Sequence, residues 1–174
     1  MSTSKKVAAA VVGIGVLVAA PLSYAATTAG LTLTGAVQSI LAVTVTPTAS
    51  ATGLDLTALV TQLKIATVKA ESNNVAGYVV SVGSANQTGG NCPTTTGACF
   101  YSPVSAGAKL GFTVVRDSVG VSFTGANGTF INKTSRSIVG GDNYDAKISY
   151  DGTGANLPQA TNYSETLTFT IANQ

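Results

Sequence analysis

The 174-residue chain has no histidine, no tryptophan and one methionine, and only 9% of its residues are charged. Typical globular proteins carry roughly 25%. Without histidine there is no Ser-His-Asp or Cys-His nucleophile pair, and no imidazole-ligated metal site. Seven acidic residues spread over the whole chain leave little room for a paired-carboxylate hydrolase. The expectation is a protein that is not an enzyme and takes no cofactor. What is abundant is different: 45% apolar residues, 41 Thr and Ser, and 19 Gly. That is enough apolar material for one packed domain.

The first 25 residues have the layout of a secretory signal. Lys5 and Lys6 form a basic start, and Val7 to Ala20 is an apolar run of 14 residues without a charge. Ser23-Tyr24-Ala25 places small residues at the −3 and −1 positions of a cleavage site. The run is too short for a membrane span, so no span is expected after processing. Cleavage after Ala25 would leave 149 residues with seven basic and seven acidic side chains. The apparent basicity belongs to the signal, and no clustered Lys/Arg face remains to suggest a nucleic acid partner.

Cys92 and Cys99 lie in the exported part, where an even pair reads as a disulfide. Pro93 and Gly97 between them suggest a loop. Closing 8 residues contributes about 2.5 kcal/mol in the chain-entropy model, a local staple. Redox chemistry would need a CxxC-like spacing or a basic neighbour, and neither is present.

Period-two alternation dominates the rest. Leu63, Ile65 and Thr67 alternate with Lys64, Ala66 and Val68, up to a turn at Ser72-Asn73-Asn74. Further runs carry Tyr78, Val80 and Val82; Leu110, Phe112 and Val114; Val119, Val121 and Phe123; and Tyr144, Ala146, Ile148 and Tyr150. The turn signals are Gly125 to Gly128 and Asp151-Gly152. Tyr163, Glu165, Leu167, Phe169 and Ile171 form the last run, with Ser164, Thr166, Thr168 and Thr170 between them. Such strands are half-buried and antiparallel, and their number predicts an all-β sandwich. One short helical turn is expected near Ala58-Leu59.

The two ends of the mature chain differ from this pattern. The last predicted strand reaches almost to the C-terminus, so nothing follows it to pair with its outer edge. Before the first sandwich strand, Ile40 to Thr46, stands an extra alternating segment, Gly30 to Val37. An exposed apolar edge is normally covered, and a strand from a neighbouring molecule is one cover. Alternation does not say whether Leu31 to Val37 pairs within its own chain or between chains.

Three stretches together resemble fimbrial subunits assembled by donor-strand exchange, in particular the alternate-type chaperone–usher pilins and the secreted spore-coat-U-like pilins. They are Leu31 to Val37 with Ile40 to Pro47, Ala66 to Asn74 with Gly77 to Val82, and Tyr163 to Ile171. The resemblance covers under a third of the mature chain and rests on strand and turn patterns. It implies an immunoglobulin-like antiparallel sandwich that lacks one strand. The parts are a signal over 1–25, a donor extension over 26–38 and a pilin-like domain over 39–174. It implies that Leu31, Leu33 and Val37 fill a neighbour's groove, with Gly35 at a constriction, and that Leu167, Phe169 and Ile171 line the receiving side. A bulge or bend explains Gly35 equally well. Copies of the chain would be its partners, with a periplasmic chaperone and an outer-membrane usher. The product would be an extracellular fimbria on a bacterial surface, supporting adhesion or biofilm. The mature length favours a shaft subunit. The Gly89 to Pro103 segment with its cystine has no counterpart in the family pattern.

Other motifs carry less. Leu157 to Thr161 is a loop and not a sortase signal. Gly141 to Asp145 lacks the spaced acids of a calcium loop. Asn86, Asn127, Asn132 and Asn162 begin sequons that chance explains in a chain so rich in Thr. A Lys64 or Lys69 isopeptide bond assisted by Glu165 would require a buried lysine, which is rare. The alternative to a fibre subunit is a self-contained secreted sandwich binding a ligand, such as a glycan, through the Gly89 to Pro103 loop with Phe100 and Tyr101.

Overall fold

The computed structural model describes residues 30–104, 107–160 and 162–174. The expected signal, residues 1–25, and the first residues of the extension, 26–29, lie outside the described residues. The chain divides into two units, Met1–Ala36 and Val37–Gln174. In the first, the described residues 30–36 form no helix or strand, and the Leu31 and Leu33 side chains are 83% and 85% exposed.

The second unit is where the alternating runs become strands. In chain order they are β1 (Leu41–Pro47), β2 (Leu59–Ser72), β3 (Tyr78–Ser84), β4 (Ala98–Ser102) and β5 (Ala108–Arg116). Then come β6 (Val119–Gly120), β7 (Phe123–Thr124), β8 (Asn127–Lys133), β9 (Asp142–Asp151) and β10 (Leu167–Asn173). One sheet has the order β1-β2-β9-β5-β4, with β6 also on β5; the other has the order β10-β3-β8-β7. Every pairing is antiparallel. The fold is an all-β sandwich of the immunoglobulin-like kind. No helix among the described residues is long and apolar enough to cross a membrane.

Inward faces of the two sheets meet in one core. Val68 and Ala70 of β2, Val80 and Val82 of β3, Val114 of β5, Phe130 of β8 and Ile148 of β9 are all buried there. Each large aliphatic or aromatic side chain so buried stabilises the fold by roughly 1.5–3 kcal/mol. Phe100 of β4 stacks on Phe112 at 4.7 Å and meets Tyr150 edge-on at 5.7 Å. The Cys92–Cys99 disulfide forms, with Cα atoms 5.5 Å apart.

The structure corrects the sequence reading in six places. Alternation in β2 is not continuous: its register against β9 shifts between Lys64 and Ala66, so Leu63 pairs with buried Ile148 and Ala66 with buried Ala146. Ile65 is the extra residue of a bulge, and a bulge exchanges the two faces. Near Ala58-Leu59 there is no helical turn. Asp55 instead accepts bonds from the Thr57 amide and hydroxyl, a turn that leads straight into β2. The run Val119 to Phe123 is two short strands, one in each sheet, because the chain crosses over at Val121-Ser122. A strand absent from the sequence reading, β8, follows directly. Phe130 and Ile131 are both buried there, a bulge that hides its alternation. Ala98 to Ser102, read as loop, is β4. The last run becomes a strand only from Leu167.

Two glycines are fixed by close approach. A Cβ on Gly152 would lie 1.8 Å from the Leu56 carbonyl oxygen. On Gly77, which has a φ of +101°, it would lie 1.8 Å from that of Lys133. No other residue fits either place.

Candidate functional site: the uncovered side of the sandwich

β1 ends one sheet and β10 ends the other, and the two lie beside each other without pairing. Their directions follow from the Asn73-Asn74 turn. Asn73 Nδ2 donates to the Gln38 carbonyl at 2.6 Å and its Oδ1 accepts from the Ile40 amide at 2.9 Å, which fixes the start of β1. Asn74 Nδ2 donates to the Gln174 carbonyl at 3.2 Å, which fixes the end of β10. The two edges are therefore antiparallel across the gap. The end of the sandwich at this turn is called the entry end, and the opposite one the far end.

Side chains facing this gap are only half covered. Val43 of β1 and Leu167, Phe169 and Ile171 of β10 pack against the core without being buried in it. Phe169 reaches furthest, edge-on to Phe130 at 5.0 Å. The outward side of β10 carries Thr168 and Thr170, and its outer backbone groups have no strand partner among the described residues. Unpaired backbone at an apolar edge is the arrangement that an added strand satisfies. Of the residues expected to provide such a strand, Val37 is 88% exposed and Gly35 has no atom within 4 Å of a Cβ built on it.

At the far end a cavity of about 650 Å³ opens between residues 51–57 on one side and 157–160 and 163–165 on the other. Leu54, Leu56, Phe100, Leu157 and Tyr163 supply its apolar wall, and Asp55 and Glu165 its charge. Tyr150 donates to the Asp55 carbonyl at 3.0 Å and holds that loop. The two bonds from Thr57 keep the Asp55 carboxyl below its ordinary pKa. Glu165 accepts four bonds that tie three segments together: from Ser84 Oγ at 2.5 Å, the Thr166 amide at 2.7 Å, the Asn86 amide at 3.1 Å and the Cys99 amide at 3.4 Å. Asn86 donates in turn to the Cys99 and Ser164 carbonyls at 2.8 and 2.6 Å. The cystine loop is thus bound to the base of β10.

At the entry end Asp142 accepts from Tyr78 Oη at 2.6 Å and Lys133 Nζ at 2.7 Å. Burial raises the Asp142 pKa, but the bonds from Lys133 and Tyr78 outweigh it and the net shift is downward. The same burial, with Asp142 and Tyr144 beside it, pushes the Tyr78 hydroxyl well up.

These contacts bear on several smaller expectations. Lys64 pairs with Asp145 at 2.6 Å and Lys69 with Glu71 at 3.0 Å, so neither stands by Glu165 for an isopeptide bond. Asp142 is bound by Lys133 and Tyr78, and no cluster of metal-binding side chains occurs among the described residues. Phe100 is 7% exposed, a core residue that also lines the far-end cavity. Leu157 to Ala160 is loop, in the cavity wall. Sequence reasoning passed over Asp55, Val43 and the Tyr78–Asp142 bond. Val43 was legible from its strand, whereas no local signal marks Asp55. No known family model matches the chain, and no curated protein matches it either.

Proposed function

We propose that the protein is a structural subunit of an extracellular fibre, and that residues 31–37 of one copy complete the β1–β10 side of the next. The observation that carries this reading is the pairing of an uncovered apolar edge with an exposed alternating segment in the same chain. Val43, Leu167, Phe169 and Ile171 are only partly buried, and Leu31, Leu33 and Val37 are exposed. Insertion would bury three apolar side chains at roughly 1.5–3 kcal/mol each and add a ladder of backbone bonds. A subunit held this way leaves only when its ladder opens, so the fibre would be kinetically stable.

In this reading the chain is exported, receives a strand from a periplasmic chaperone, and exchanges it at an outer-membrane usher for a neighbour's residues 31–37. It acts as a shaft subunit in surface adhesion or biofilm and does no chemistry. Electrophoresis of the mature protein with and without boiling, beside a version lacking residues 26–38, tests it. Multimer ladders that collapse on boiling and vanish with the deletion are expected. A folded monomer from both versions would overturn the proposal and favour a self-contained ligand-binding sandwich.

A further inference from the structure

Which way the donated segment runs decides how consecutive copies touch. A segment running parallel to β10 would leave its acceptor at the entry end, where the acceptor's own extension also departs. The two copies would then complete each other and stop as a closed pair. Open growth requires the segment to run antiparallel to β10, leaving the acceptor at the far end. From Val37 to Leu41 the chain spans at most about 14 Å. The entry end of the donor is therefore held against the far end of the acceptor.

Those two ends are complementary. At the entry end Lys69–Glu71 and Lys133–Asp142 neutralise one another. Arg136 is exposed and belongs to none of the ion pairs among the described residues. Beside it Ile138 and Val139 project into solvent, as does Val75 on the neighbouring turn. At the far end Asp55, Asp151 and Glu165 also stand outside those ion pairs, and the cavity lies between the first and last of them. Its volume of about 650 Å³ is ample for small organic groups. Both bonds from Thr57 fall on Asp55 Oδ1, so Oδ2 is not engaged by Thr57.

We infer that a second copy of this chain docks in the far-end cavity. Its Ile138 and Val139 lie against Leu56 and Leu157, and its Arg136 guanidinium donates to Asp55 Oδ2. This rests on the strand-donation reading and adds to it a second contact, which sets how firmly consecutive subunits are locked. Opposed charges at such a contact also disfavour joining two like ends.

The test measures how fast unboiled multimers of the full mature protein dissociate on warming, in Arg136→Glu, Asp55→Lys and the double variant. Each single variant is expected to dissociate about tenfold faster, and the double variant to return most of the way to the parent rate. Asp55→Asn keeps the turn with Thr57 and removes only the charge, so a smaller acceleration is expected without loss of folding stability. Unchanged rates in all the variants, or a double variant no slower than the faster single one, would overturn the inference. If those rates are unchanged while deletion of residues 26–38 abolishes the multimers, strand donation stands without this contact. Multimers that survive the deletion would remove both.

Discussion

The two sides of this sandwich are written in the same alphabet and finished differently. On the side where β2, β9 and β5 face β3 and β8, alternating Val, Ile and Phe residues are wholly buried, with Val68, Val80, Val82 and Val114 fully inaccessible. On the side of β1 and β10, the alternation Leu167, Phe169, Ile171 is as regular, yet each residue is half covered. Alternation records which face of a strand points inward, and says nothing about whether anything lies on top of it. Cover is a tertiary property.

The largest way to sharpen that contrast is a truncation on each side. Phe130→Ala, on the closed side, is expected to cost about 3–5 kcal/mol of folding stability by denaturant unfolding of the monomer. Separation of Cys92 from Cys99 by a double Cys→Ala change comes next, at about 2.5 kcal/mol. Its effect should extend to the base of β10, because Glu165 and Asn86 bind the Cys99 backbone there. A larger loss of multimers than of monomer stability would show that the staple also shapes the open edge.

Phe169→Ala, on the open side, should cost the monomer only about 1–2 kcal/mol, since its ring is only partly buried. Its multimers should nevertheless weaken by more than those of Phe130→Ala once each is corrected for monomer stability. Equal costs in the monomer would mean that the two sides are equally closed. The smallest effect is with acid. The Asp142 carboxyl has its pKa lowered below 3.8 in the fold, so its contribution is complete above that value and is lost as pH falls through the lower one. Asp142→Asn should remove that part of the acid dependence in a pH series of unfolding curves. Because Asp142 also accepts from the Ile138 amide at the entry end, the multimer should weaken together with the monomer as the pH falls.

Most of the fold was legible because inward faces obey period two wherever pairing is regular. β3, β5 and β9 were readable for that reason. The failures have local causes. A bulge at Ile65 swaps the faces of β2, a bulge at Phe130 places two buried residues in succession, and the crossing at Val121-Ser122 cuts one run into two strands. β4 hid behind the Pro and Gly of the cystine loop. Of the open side, Leu167, Phe169 and Ile171 were readable as inward-facing, but not as uncovered. Asp55 and Arg136 were silent, since a single charge in a loop acquires meaning only from its place at one end of the sandwich.

The most direct test is to supply the missing cover separately. A synthetic peptide of residues 29–38 would be added to the protein lacking residues 26–38, following thermal unfolding and hydrogen exchange. The account predicts a concentration-dependent rise in the unfolding midpoint, with new protection at β10 amides that face away from β3. A scrambled peptide should do neither. An unchanged midpoint at saturating peptide, with β10 exchanging as before, would contradict the claim that this edge is built to receive that segment.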